Sequence, residues 1–188
     1  GHVSAPGIAT YHLNSGIGDF ISAPNDAAIA GWCAPHPDVS IAAVLADVHH
    51  ENVPIILDWL SSLATDQGFI NSYWWRGPFY ATTLMLRALK RRGETLAPHH
   101  AERLLKGLIN LQLDNGGFAL DTGTALDPFS TALALEAFTY LRDVGGENET
   151  HAFAKALLDS QHDNGHWTGN YILRIPAPHV LNPETVLA

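Results

Sequence analysis

Apolar positions along the chain alternate between two textures. Some stretches are small and apolar nearly all round, as in "STALALEAFTYL" at 130–141, which carries a single charge. A helix of that kind is buried on most of its faces. Other stretches are amphipathic. In "HHAERLLKGLINLQ" at 99–112, Leu104, Leu105, Leu108 and Leu111 recur at helical spacing with Glu102, Arg103 and Lys106 between them. The alternation predicts three helix pairs: about Val39 to His49 with Pro54 to Leu63, Phe79 to Arg91 with Pro98 to Leu111, and Pro128 to Arg142 with Thr150 to Gln161. Asp127 before Pro128 reads as an N-cap with proline in the first turn, and Asp38 before Val39 as a second cap. Gly93 and the pair Gly145-Gly146 read as stops. A buried helix, a turn, a half-wet helix and a turn, repeated, describe an inner and an outer ring.

The period is visible as self-similarity. "QLDNGGF" at 112–118 returns as "QHDNGHW" at 161–167, a step of 49 residues. The same step carries Phe118 onto Phe69 and Thr131 onto Thr82, and a similar one carries Thr82 near Ser40. Each phrase stands where an outer helix ends. Gly116, Gly117 and Gly165 admit a positive-φ turn, Gln112 and Gln161 bond backbone groups left free at helix ends, and Phe118 or Trp167 fills the seam between hairpins. Residues 1–34 show no period and are expected to be irregular with one short helix; 35–188 hold about three and a half hairpins in a single domain.

Gln161-x-x-x-Gly165-x-Trp167 resembles the glutamine–tryptophan repeat of squalene and hopene cyclases, and Gln112-x-x-x-Gly116-x-Phe118 is a variant of it. "LATDQGF" at 63–69 is a weaker copy without the glutamine. The resemblance, spanning about Pro35 to Tyr171, is to the superfamily of terpenoid cyclases and protein prenyltransferase β subunits. It implies an all-α fold of helical hairpins in an (α/α)6 toroid or an arc of one. Two departures bear on chemistry. Class II cyclases of that superfamily carry an Asp-x-Asp-Asp-Thr-Ala acid motif; here 127–132 read Asp-Pro-Phe-Ser-Thr-Ala, with Phe129 at the acid position, and a phenyl ring has no proton to give. The zinc triad of the prenyltransferases is not reproduced around Cys33, and the paired histidines have no zinc-site spacing, so no metal and no cofactor are expected. Six of a toroid's twelve helices are countable, with Asn182-Pro183 opening a seventh. A fragment, or a second copy of the chain completing the ring, is expected.

Composition narrows the partners. A net charge of −9 disfavours a nucleic-acid groove, and no apolar run reaches the length of a membrane span. The lone Cys33 fits a reducing, cytoplasmic setting. The chain opens Gly1-His2, as a tag scar or fragment would.

In the toroid that the resemblance implies, inner-helix N-termini face the central cavity and attract anions. Candidate residues therefore stand just before or at those helices. Asp38, His36 and Asp127 are the candidate acids and bases, with helix capping as the rival role of both aspartates. Trp32, Tyr73, Trp74, Trp75, Arg76 and Tyr80 are the candidate ligand-binding residues; "YWWRGPFY" at 73–80 offers faces that stabilise carbocations. The rival role of these rings is seam packing. The expected function is a terpenoid-cyclase-like domain holding an apolar, isoprenoid-like small molecule, either as an enzyme with a relocated acid or as a non-catalytic binding or scaffold module. Convergence of Trp75, Arg76, His36 and Asp38 on one pocket separates the two. A carbohydrate-active α/α barrel would need a carboxylate pair that the sequence lacks.

Overall fold

Proline and glycine punctuation sets the helix ends. The computed structural model describes residues 6–12, 14–23, 29–46, 50–121, 123–144 and 150–174. Among these it is helical, with no strand: α1 (Ile17–Phe20), α2 (Pro37–Leu45), α3 (Val53–Ser62), α4 (Phe79–Arg91), α5 (Pro98–Leu111), α6 (Pro128–Tyr140) and α7 (Thr150–Asp159). Single 3-10 turns lead into α3 at His50–Asn52 and follow α6 at Arg142–Val144. Prolines open α2, α5 and α6, where a missing N–H costs nothing. Gly93, at φ 72°, ends α4. The expected stop at Gly145-Gly146 and the helix expected from Asn182 lie outside the described residues.

One cap differs from expectation. Asp127 caps α6, accepting from Ser130 N–H at 2.7 Å. Asp38 does not cap α2. The helix starts at Pro37 with His36 as N-cap residue, so Asp38 lies inside the first turn. Proline's preference for the first helical position outweighs aspartate's for the cap here.

The helices form two layers. α2 packs on α4 and α4 on α6, making an inner row. One core, with Ile41, Ile56, Leu60 and Met85, ties α3 to the outer side of α2 and α4. Another, with Phe79, Leu104, Leu108, Phe118, Phe138 and Phe153, ties α5 and α7 to α4 and α6. No helix among the described residues is long and apolar enough to cross a membrane.

A three-fold latch joins each inner helix to the turn before it. Thr131 Oγ1 donates to Asp127 O (2.8 Å) and accepts from Phe118 N–H (3.0 Å). Thr82 Oγ1 does the same with Pro78 O (2.8 Å) and Ile70 N–H (2.9 Å). Ser40 Oγ repeats it with His36 O (2.7 Å) and Ile8 N–H (2.7 Å). All three hydroxyls are buried. Ile8 thus brings part of the segment expected to be irregular into the repeat.

The glycine phrases form three identical turns. Leu113 N–H donates to Gly117 O and Gly116 N–H to Leu113 O; Thr65 with Phe69 and Gly68, and His162 with His166 and Gly165, make the same two bonds. Gly68, Gly116 and Gly165 take φ of 84–86°, the left-handed region that glycine adopts freely. Gly117 is not among the positive-φ glycines; a Cβ there would meet Leu126 Cδ1 at 2.3 Å. The glutamine amides reach the turn itself, Gln112 to Gly116 O at 3.4 Å and Gln161 to Gly165 O at 2.7 Å, instead of the helix end. The turns also correct the register: Thr65 matches Leu113, so Phe118 corresponds to Ile70 and not to Phe69. Phe118 is fully buried, whereas Trp167 stays 42% exposed, held by a bond from Nε1 to Leu157 O.

Candidate functional site

The latches fix which residues share a level. Two positions before each latch hydroxyl stand Asp38, Tyr80 and Phe129. Helical spacing sets the faces. On α6, Phe138 packs on Phe153 of α7, with ring centroids 4.5 Å apart. Phe129 lies on the opposite side of the same helix and is half-buried. Tyr80 and Phe129 therefore point to the inner, concave side, and their rings stack at 6.3 Å. Trp75 lies over both, 3.9 Å from Tyr80 and 5.6 Å from Phe129. Three near-parallel rings form an aromatic wall at the N-terminal end of the inner row. Pairing of matched levels on α4 and α6 means that the two helices run parallel.

Asp38 closes this row on the α2 side. It is buried, and its two oxygens accept backbone N–H groups, Oδ1 from Val39 (3.2 Å) and Oδ2 from Trp74 (3.0 Å). Its charge reaches Tyr80, whose hydroxyl pKa is raised first by burial and then by Asp38.

The remaining candidate residues belong elsewhere. Trp74 turns away from Trp75 and shares none of its ring contacts. Residues 74–76 pair antiparallel with 172–174 through a single bridge: Arg76 N–H donates to Ile172 O, Arg174 N–H to Trp74 O, and Trp75 bridges Leu173. Trp74 packs edge-on against Trp32, Tyr11 and His36. His36 is buried and stacks on Tyr73 at 3.9 Å. Its Nε2 donates to Gly31 O at 2.8 Å, leaving the Thr10 hydroxyl, which already accepts from Trp74 Nε1, to donate to Nδ1. Both ring nitrogens are thus engaged. The Tyr73 hydroxyl is pushed up chiefly by burial. Trp32 is 1% exposed, and its Nε1 has no partner among the described residues. Arg76 pairs with Asp121 and donates to Tyr171 O. Asp127 serves as cap and as acceptor for Asn170 Nδ2 at 2.8 Å. Trp75, Tyr80 and Asp38 therefore share one level, while His36 and Arg76 lie outside it; the four residues expected of an enzyme do not converge on one pocket, so an acid role for Asp38 rests on its level alone.

Two features of the concave face escape sequence reading. Phe129, noted in the sequence only as a residue unable to act as an acid, is part of the wall. Seven residues below Tyr80 and Phe129 stand Arg87 and Glu136. They form a two-point ion pair, Nε to Oε1 at 2.7 Å and Nη2 to Oε2 at 2.6 Å, and Tyr140 donates to Oε1 at 2.9 Å. The bonds from Arg87 outweigh burial and hold the Glu136 carboxyl below its ordinary range. The 49-residue step that relates Phe129 to Tyr80 also relates Glu136 to Arg87, which is the signal that could have found the pair. Among the described residues no three His, Cys, Asp or Glu side chains gather to hold a metal.

A double-layered row of helical hairpins is the fold of the terpenoid cyclases. The type II terpene cyclase MstE from Scytonema is 30% identical over 95% of this chain and 51% of its own, with a TM-score of 0.74. The same figures hold for a variant of MstE solved with geranylgeranyl dihydroxybenzoate, its substrate. A protein from Actinoplanes shares the fold at 23% identity (TM-score 0.78, 98% of this chain and 55% of that one). So does ent-copalyl diphosphate synthase from Streptomyces platensis, at 20% (TM-score 0.58, 74% and 29%). The chain spans about half the length of MstE and of the Actinoplanes protein. No protein-family model and no curated protein matches it.

Proposed function

We propose that the concave face of the α2–α4–α6 row binds an isoprenoid chain, and that Asp38 protonates it to start a cyclisation. The observation that carries this is the level shared by Asp38, Tyr80 and Phe129, with Trp75 stacked on the two rings. In the Asp-x-Asp-Asp-Thr-Ala motif the acid stands two residues before the threonine. Asp38 stands two residues before Ser40, the latch hydroxyl of the first hairpin. The acid missing at Phe129 thus has a counterpart two helices away.

The chemistry follows from the surroundings. The proton moves from the Asp38 carboxyl to an alkene carbon: the O–H bond breaks, the alkene electron pair forms the new C–H bond, and a cation is left on the adjacent carbon. The N–H groups of Val39 and Trp74 stabilise the carboxylate that remains. The faces of Trp75, Tyr80 and Phe129 stabilise the cation through their ring quadrupoles, each by about 0.5–2 kcal/mol. MstE supports the substrate class, since its own substrate carries a geranylgeranyl chain.

Two measurements test the reading. Geranylgeranyl compounds should quench tryptophan fluorescence on binding, and Trp75→Ala should weaken that binding about tenfold or more. Extraction after incubation should yield cyclised product that disappears in Asp38→Asn while binding persists. Product undiminished in Asp38→Asn removes the acid role. Binding without product in the unaltered chain leaves a non-catalytic binding module.

A further inference from the structure

We propose that the Arg87–Glu136–Tyr140 cluster is the head-group end of the same concave face, and that it selects isoprenoids ending in an uncharged oxygen over diphosphates. The inference rests on the concave-face reading above and adds the orientation and polarity of the ligand.

The face changes character in steps along the inner helices. At the first level stand Asp38, Tyr80 and Phe129. Three to four residues on, the methyl groups of Ala42 and Ala132 are exposed, while Thr83 and Leu84 of α4 are buried. Two turns on stand Leu45, Arg87 and Glu136, about 10.5 Å below the first level at 1.5 Å per residue. A ligand lying along this face meets an acid and aromatic rings at one end, apolar surface in the middle and a polar cluster at the other. That gradient fits an amphipathic chain with its terminal alkene at Asp38 and its oxygen at Arg87.

The pair's own bonds decide the charge of the head. Glu136 takes Arg87 Nε and Nη2 and the Tyr140 hydroxyl. Arg87 Nη1 makes no hydrogen bond to any described residue, and the side chain is 45% exposed on the concave side. The site therefore offers a pre-oriented N–H donor whose positive charge is already cancelled by a fixed carboxylate. An alcohol, phenol or carbonyl oxygen accepts from Nη1 without opposition. A diphosphate brings several negative charges beside Glu136, and such like-charge contact is unfavourable.

The test compares geranylgeraniol, geranylgeranyl diphosphate and the matching C20 hydrocarbon without oxygen, each titrated against the full chain by tryptophan fluorescence. The alcohol should bind about tenfold more tightly than the hydrocarbon, as one hydrogen bond to a charged donor allows, and the diphosphate no more tightly than the alcohol. The double variant Arg87→Met/Glu136→Met removes both partners, so no unpaired charge is left to compromise folding. It should bind alcohol and hydrocarbon equally, with the hydrocarbon unchanged. Glu136→Gln should raise diphosphate affinity about tenfold. Equal binding of alcohol and hydrocarbon by the unaltered chain, an alcohol preference that survives the double variant, or a diphosphate that binds most tightly would each overturn the assignment. Failure of all three compounds to bind would instead bring down the concave-face reading itself.

Discussion

Deleting the Phe118 side chain asks whether the repeat turns carry the core. Phe118 is fully buried, with edge-on ring contacts to Phe79 at 5.2 Å and Phe153 at 5.1 Å. It thereby joins α4, the second turn and α7. Burying a phenylalanine contributes about 1.5–3 kcal/mol, and the cavity left by truncation brings the usual cost of Phe→Ala to about 3–5 kcal/mol. The latch bonds of Phe118 use its backbone N–H and carbonyl, so they survive the substitution. Phe118→Ala should therefore lose about 4 kcal/mol. In urea, with a slope near 2 kcal/mol per molar, the midpoint should fall by about 2 M. Phe20→Ala is the control. It makes the same chemical deletion at a ring that is 84% exposed on α1, and should change stability by no more than about 0.5 kcal/mol. Similar losses from both variants, or a loss below about 1.5 kcal/mol from Phe118→Ala, would refute the account of the turn as a core element.

Other perturbations probe separate links. Thr131→Val keeps the shape but strands the buried Phe118 N–H; it should cost about 1–3 kcal/mol, read by the same unfolding curves. Asp127→Ala removes the α6 cap and the Asn170 contact and should cost about 1–2 kcal/mol, with Asp127→Asn recovering much of the loss. Gly116→Ala places a Cβ at φ 84°, 3.0 Å from the Ala152 carbonyl oxygen, and should lower the melting temperature by several degrees, roughly 2–4 °C per kcal/mol. Glu136 has its pKa depressed in the folded chain, so its pairing stabilises above the unfolded value of 4.5 and the contribution fades as pH falls through the lower folded value. Glu136→Gln should flatten the stability profile in that acid window and leave its shape above pH 6 unchanged.

Much of the architecture is legible in the sequence because local signals coincide with tertiary ones. α4 and α5 begin and end where periodicity, Pro98 and Gly93 place them. The α2 start is displaced because two local preferences compete at Pro37 and Asp38, and only the latch of Ser40 to His36 O shows which one holds. The offset between Ile70 and Phe118 is hidden because Phe69 is also aromatic and lies one residue away. The site is harder to read. Nothing in "YWWR" tells which ring faces inward, since that depends on a bridge to 172–174, about a hundred residues away. Arg87 and Glu136 look like ordinary solvated charges until the repeat superposes them.

Each inner helix is keyed to the turn before it by one buried hydroxyl, while the position two residues earlier carries aspartate, tyrosine or phenylalanine. On the function proposed above, structural duty and chemical duty fall to different residues of the same turn. An acid could be moved from hairpin to hairpin by single substitutions at 38, 80 or 129, which would let the point of attack on a long polyene migrate while the framework stays as it is.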